Sequence, residues 1–445
     1  MKKLLLLLII PFLSFGQTIC LDNLACNFNE PEPCDFYSCI DCLNYPIPDV
    51  YDFEIDGIST VDYSSCRLEM AVELYSALGE PSLTTESLLD MFYGGVGFSN
   101  NISSECEGES IAAHTSSSPG ASVTAGQQIY DMIAEQVETV FPYVMFPATA
   151  GESGVIYDSN GYPRFVNNKG LEIKEVFVKA LSGALCLDRI TNIYTNPSYI
   201  SPFDNDEWVE PELYTEMEHI WDLGFGYLYG MDDQINPSLL EGVLLNKLLG
   251  QVNNVQFPGI GDAIYEAFIV GRAAISNNDY ETRNLQSDII KSLLGKVIAQ
   301  KTVDYLLAAA DIINSGADWE YSLGYFSAAY GLIFALQYTS EISWGQSNAW
   351  MDDLLMTDYG FWSVSVDDIN NIVSSIYEYI DLSTYYYDNT ALSDLSNCTG
   401  LDIDKESINK NLITTIDILG RETTNKGFQL HIYDDGSVEK KYVIK

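Results

Sequence analysis

LQSDIIKSLLGKVIAQKTVDYLLAAADII, residues 285–313, repeats its apolar side chains at three- and four-residue spacing along its whole length. That is the period of one helix face, not of a strand. Asp279 stands ahead of it as a start signal and Gly316 closes it. The same spacing recurs earlier, along 67–78, 125–140, 171–194, 210–229, 238–252 and 262–274, and later along 319–338, 348–356 and 367–380. The sum is an all-α body over 49–388, about ten helices packed as one or two bundles. A short extended piece, Tyr51–Val61, leads into it, and the Gly- and Ser-rich stretch 94–124 reads as a mobile loop. Gly224-Phe-Gly226, inside a helix, marks close helix packing, and Trp221, Phe225, Tyr227 and Tyr229 read as core.

The two ends carry a different message. Lys2 and Lys3 precede the apolar run Leu4–Leu13, with small residues at Ser14 and Gly16, the pattern of a secretory signal over 1–16. The run is too short to cross a bilayer, which takes about 20 helical residues, and no later stretch is apolar enough to do so. At the other end, after a polar linker at 389–411, three β-rich runs (414–419, 428–433 and 438–444) alternate with Gly, Asn and Asp-Gly turn signals. Asp417-Ile418-Leu419-Gly420-Arg421-Glu422, Ile432-Tyr433-Asp434-Asp435-Gly436 and Val438-Glu439-Lys440-Lys441 resemble the C-terminal sorting tails of type IX secretion cargo, which assigns 412–445 to that role. The resemblance implies passage through the type IX secretion machinery to the outer-membrane surface or the medium.

Formal charge is −43 from 64 acidic and 21 basic residues, while hydrophobic residues make up 47% of the 445, enough for a large core. So negative a surface repels phosphate backbones and anionic lipid, which argues against nucleic acid and direct bilayer binding. It attracts cations and keeps an exported chain in solution. Cys20, Cys26, Cys34, Cys39 and Cys42 crowd into 17–48 and read as a disulfide-stapled module. Cys66, Cys106, Cys186 and Cys398 are scattered, and the odd total of nine leaves at least one thiol over, with Cys186 in an apolar helical setting the candidate. Cys20-Leu-Asp-Asn-Leu-Ala-Cys-Asn-Phe-Asn resembles short repeats of type IX surface proteins.

Candidate chemistry gathers on the helix at 210–229. Glu216, His219 and Asp222 follow one another by threes, and Glu218 stands one turn before Asp222. His219 is the one histidine inside the helical body; His114 lies in the Ser-rich loop and His431 near the C-terminal end. Imidazole among carboxylates suits iron or another divalent metal, or a pH-tuned acid–base site. The plain alternative is a core histidine bonded to a carboxylate. No His-Glu-x-x-His is present, and Gly151-Glu-Ser-Gly154 lacks the spacing of a nucleophile elbow.

Over most of 51–338 the chain resembles a helical family of unknown function related to, or encoded beside, the imelysins of iron-uptake loci. The matching pieces are Tyr51-Asp-Phe53, Gly57-Ile-Ser-Thr-Val61, Arg67-Leu-Glu-Met70, Gly154-Val-Ile156, Gly170-Leu-Glu172, Lys179-Ala-Leu-Ser-Gly-Ala-Leu185, Asn192-Ile-Tyr194, Met217–Tyr227 and Gly271-Arg-Ala-Ala-Ile275. Imelysins carry Gly-x-His-x-x-Glu on an inner helix of paired bundles; here His219 matches the His, Asp222 stands in place of Glu and Met217 in place of Gly. The resemblance implies an imelysin-like bundle and a non-catalytic accessory role in iron, metal or haem acquisition. Outer-membrane uptake components or other surface proteins are the implied partners, with Glu216, Glu218, His219 and Asp222 near a metal. A peptidase-like metallohydrolase is the alternative, and a structural or adhesive surface protein the third reading.

Overall fold

The computed structural model describes residues 19–20, 22–30, 34–37, 43, 45–239, 242–382, 412–416, 421, 427–433 and 438–443. The expected signal at 1–16, Cys39 and Cys42, the linker at 389–411 and the tail residues 417–420 and 434–437 lie outside them. The chain divides into two compact units, Met1–Ser396 and Asn397–Lys445.

The first unit is mainly helical. Its helices are α1 (Cys66–Ala77), α2 (Thr85–Leu89), α3 (Asn100–Glu105), α4 (Val123–Glu135), α5 (Ile173–Leu181), α6 (Pro197–Ile200) and α7 (Glu216–Tyr229). After these come α8 (Leu244–Val255), α9 (Ile260–Ser276), α10 (Tyr280–Ser315), α11 (Glu320–Leu336), α12 (Trp344–Leu354) and α13 (Val366–Tyr379). Three antiparallel hairpins decorate them: β1 (Glu54–Ile55) with β2 (Ile58–Ser59), β3 (Gly154–Tyr157) with β4 (Pro163–Val166), and β5 (Trp208–Val209) with β6 (Tyr214–Thr215). The second unit holds an antiparallel sheet of β7 (Leu412–Ile416), β8 (Gly427–Tyr433) and β9 (Val438–Val443), in that order.

Helix α10 is the spine. Its 36 residues run about 54 Å at 1.5 Å per residue. The Asp279 carboxylate accepts from the Thr282 amide at 3.1 Å to start it, and Gly316 ends it in the left-handed region at φ +70°. Ile289, Ile290, Leu293, Leu294, Val297 and Ile298 are buried, each contributing roughly 1.5–3 kcal/mol. Around α10 pack α8, α9, α11 and α13, while α11 also packs on α5 and α12. Lys296, within that same buried stretch, has its ammonium 2.8 Å from Asp22 Oδ2. Asp22 belongs to the Cys-rich segment, so a buried ion pair ties that segment to the spine, and the Asp of the repeat-like phrase meets a lysine.

Several helix ends differ from the sequence expectation. The helix expected over 210–229 starts only at Glu216, because residues 208–215 form the β5–β6 hairpin and Thr215 caps the helix. The helix expected over 238–252 starts at Leu244. The stretch 94–124 carries α3 and a tight turn at Ala112–His114. A disulfide from Cys66 to Cys106 staples it to α1, and Arg189 donates to the carbonyls of Ala113 and His114 at 3.0 and 3.2 Å. A Ser-rich composition cannot announce a staple supplied from elsewhere. Cys20 pairs with Cys34, Cys26 is also disulfide-bonded, and Cys186 is a buried free thiol whose pKa burial raises to about 12.

The Cys66–Cys106 bond closes a loop of 40 residues. Replacing both cysteines by Ser is expected to lower stability by about 2–4 kcal/mol. Urea unfolding under non-reducing conditions reads this directly, and an unchanged midpoint would show that the staple adds nothing.

Candidate functional site

Helix α7 begins with a reciprocal cap. The Thr215 hydroxyl accepts from the Glu218 amide at 3.2 Å, and Glu218 Oε2 accepts from the Thr215 amide at 2.8 Å. Capping uses one carboxylate oxygen of Glu218 and aims the other inward, where Arg272 Nη1 of α9 donates to it at 2.5 Å and the Ser276 hydroxyl at 2.6 Å. One turn on, Asp222 Oδ1 accepts from Arg272 Nε at 3.0 Å and from the Tyr51 hydroxyl at 2.6 Å. Arg272 Nη2 reaches the Thr60 hydroxyl at 3.3 Å, and the guanidinium lies 5.0 Å from the Phe53 ring centre. Arg272 and Asp222 are fully buried. Every arm of the guanidinium is thus bonded, which is the condition for burying a charge.

The four residues expected to share a metal do not converge. Glu218 and Asp222, four apart, share a face and close on Arg272. Glu216 is exposed, its Oε2 3.4 Å from the Asp204 amide. His219 is half-buried on another side, its ring stacked on Tyr214 with centres 4.8 Å apart and its Nδ1 3.5 Å from Asp62 Oδ2. Among the described residues no group of three His, Cys, Asp or Glu is arranged to hold a metal ion. A cation placed between Glu218 and Asp222 would meet the guanidinium already there, and in this structure the two carboxylates form an ion-pair core with Arg272. Arg272 comes from a helix fifty residues away, where no local spacing could announce it.

Asp62, Tyr214, Tyr51, Thr60, Arg272 and Ser276 were not anticipated as partners. Asp62 accepts from the Tyr214 hydroxyl at 3.2 Å, and burial together with Asp62 pushes that hydroxyl up to about 12. One signal for Arg272 was present: it is the lone cation in the apolar run Ala267–Ile275, and a cation there requires buried counter-charge. His114 is likewise tied down, its Nδ1 2.6 Å from the Tyr227 hydroxyl. Burial, then Arg189 and Arg67, lower its pKa to about 3 and keep the ring neutral. At Gly224 of α7 the neighbour is helical, since an added Cβ would lie 3.2 Å from Tyr194 Cβ, whereas at Gly226 it is the extended segment, with Tyr63 Cβ at 2.7 Å.

A concave feature of the unit lies away from this core. A cleft of about 700 Å³ is bounded by residues 118–122 ahead of α4, by 192–199 around α6, and by 337–344 between α11 and α12. Behind its lining the buried Asp188 holds Ser118 in place, its Oδ2 accepting the amides of Ser117 and Ser118 at 3.1 Å each. The Asn192 amide bridges Asp188 Oδ1 and the Tyr338 carbonyl, both at 3.1 Å. The Tyr338 and Ser116 hydroxyls lie 2.7 Å apart, and burial raises the Tyr338 pKa so that it stays neutral. This part of α5 and its continuation, Ser182–Leu187 and Ile190–Tyr194, has wide π-type turns, a geometry frequent beside binding sites.

Arg272→Met leaves two buried carboxylates without their cation and is expected to cost about 3–5 kcal/mol. Calorimetric melting at neutral pH measures it. Burial raises the Asp222 carboxyl from 3.8 to about 6, against the pull of Arg272 and Tyr51. A carboxyl raised on folding contributes stability that is full below the unfolded value and is lost as pH rises through the folded one. The deficit of Asp222→Asn relative to wild type should therefore shrink between pH 4 and 6, by about 2–3 kcal/mol. Paired unfolding curves across that window test the sign; a growing deficit would refute it.

Residues 48–382 match the family described as Domain of unknown function (DUF4856). A comparison with curated proteins finds no match, and neither does one with solved structures. With three-quarters of its length covered by that family's pattern, the chain belongs to the DUF4856 family.

Proposed function

We propose that this protein is an exported, surface-exposed binding protein that performs no chemistry of its own and holds its ligand in the cleft between α6 and the α11–α12 connection. The observation that carries the reading is the cleft lining, in which hydroxyl, amide and aromatic side chains stand among a few small apolar ones with a single charged side chain, Glu341. Convergent neutral hydrogen-bonding groups around a concave volume of this size suit ligand recognition. Export is supported by the secretory pattern at the start of the sequence, by the type IX-like residues at its end, and by the disulfides Cys20–Cys34 and Cys66–Cys106. No described helix is long and apolar enough to cross a membrane.

The accessory role in metal acquisition, implied by the imelysin resemblance, takes a particular form in this chain. An organic ligand or a surface partner is what the protein would hold, since Arg272 occupies the place of an ion between Glu218 and Asp222. The carboxylate-rich exterior keeps such a carrier dispersed at the cell surface.

Fractionation of the source cells is expected to recover the protein outside the cytoplasm with its cysteines oxidised; a cytoplasmic, fully reduced pool would sink the export reading. Elemental analysis of the purified chain should give the same trace iron and zinc for wild type and His219→Ala. A stoichiometric metal lost in His219→Ala would instead restore ion ligation and displace the cleft as the working site.

A further inference from the structure

The cleft has unspent hydrogen-bonding capacity of a definite kind. Asn196 uses its side-chain oxygen to cap α6, accepting from the Ser198 amide at 2.9 Å, and its NH2 makes no hydrogen bond among the described residues. Gln337 donates its NH2 to the Phe334 carbonyl at 2.8 Å, leaving its amide oxygen as an open acceptor. Ser198 and Tyr199, both exposed, carry hydroxyls that make no side-chain hydrogen bond among the described residues. Donors, acceptors and groups that do both are therefore interleaved. Two aromatic side chains stand beside them: Tyr199, exposed, and the partly buried Trp344, whose Nε1 donates to Gln128 Oε1 at 3.4 Å.

Charge narrows the ligand. No Lys, Arg or His lines the cleft; the nearest cation, Lys291, stands behind it with its ammonium turned to Asn192 Oδ1 at 3.4 Å, and the protein's net −43 opposes an anion further. A cation would find only Glu341, whose Oε1 already accepts from the Ser340 hydroxyl at 2.6 Å. A neutral ligand whose own groups both donate and accept fits what is left. Sugar hydroxyls have that property, and the apolar C–H face of a pyranose lies flat on an exposed aromatic ring.

We infer that the cleft binds a neutral carbohydrate chain, with Tyr199 and Trp344 as its stacking surfaces and Asn196, Ser198 and Gln337 as its polar contacts. The inference rests on the cleft being the binding site and adds the class of ligand. Glu341 at the rim takes one further sugar hydroxyl as an acceptor.

The test uses the full chain purified from an oxidising compartment and a panel of neutral hexasaccharides: malto-, cello-, laminari-, xylo- and chito-oligomers. Binding is followed by calorimetry and by the change in tryptophan fluorescence. Two variants report on place. Tyr199→Ala removes the exposed ring, and Gly120→Trp fills the cleft from a lining position where an added Cβ meets nothing within 4 Å. Saturable binding of at least one oligomer is expected, weakened roughly tenfold in Tyr199→Ala and abolished in Gly120→Trp, with both variants melting like wild type. Failure of every oligomer to bind overturns the carbohydrate assignment. A pool of neutral peptides run alongside separates that failure from the other: peptide binding lost in Gly120→Trp would leave the cleft as the site of a different ligand. Oligosaccharide binding untouched by Gly120→Trp overturns both the place and the inference.

Discussion

One guanidinium holds together three separate parts of the sequence. Arg272 on α9 meets Glu218 and Asp222 on α7, and through Thr60 and the Tyr51–Asp222 bond it gathers the extended segment that precedes α1. Tyr51 is fixed in turn by its ring stacked on Phe225 at 3.7 Å and by its amide donating to Tyr265. A charge with no water to solvate it must have all its partners in place at once, so these segments have one way to fit. The packing beside it, Trp221 Nε1 on the Phe268 carbonyl and the ring cluster of Phe225, Tyr229 and Phe268, is built on that alignment.

That core and the cleft divide the unit's polar residues by purpose. Around Arg272 carboxylates and hydroxyls are buried and bonded to one another or to the guanidinium, which makes them scaffolding. Around the cleft the polar groups are neutral, partly exposed and incompletely bonded, which makes them available. The same α5 continuation serves both ends of the unit, since Tyr194 lies near His114 and Tyr227 while Asn192 and Asn196 face the α11–α12 connection. The histidine that drew notice in the sequence belongs to neither group. His219 sits over Tyr214 beside Asp62, at the edge of the ion-pair core.

How much of this was legible in the sequence follows from what each feature depends on. Helix α10 is set by its own periodic apolar residues and its own caps, so its position could be read within a few residues. The late start of α7 depends on a hairpin of two-residue strands, too short to show a strand period. At the site, the carboxylates Glu218 and Asp222 were legible as a pair, but their partner was not, because nothing in a local window says which of 21 basic residues will cross the core. The Cys66–Cys106 pairing was equally hidden, since spacing alone does not choose among nine cysteines. The cleft had no sequence signature at all. It exists only where three separate segments meet, and serines and asparagines in each of them read as ordinary turn residues.

The placement of arginine bears on the solvent this molecule prefers. Arg67, Arg164, Arg189, Arg272 and Arg283 all form hydrogen bonds or ion pairs within the helical unit: Arg67 with Glu109, Arg164 with Glu172, Arg189 with loop carbonyls, and Arg283 with Met217 and Ser201. With these guanidiniums bonded within the unit, the outer shell is dominated by carboxylates that repel one another. Dissolved ions shorten the reach of that repulsion, from about 10 Å at 0.1 M to about 3 Å at 1 M, while the sealed pair at Arg272 hardly feels them. Brine therefore relaxes the strain on the outside without loosening the inside, and the fold is one that tightens as its medium grows saltier.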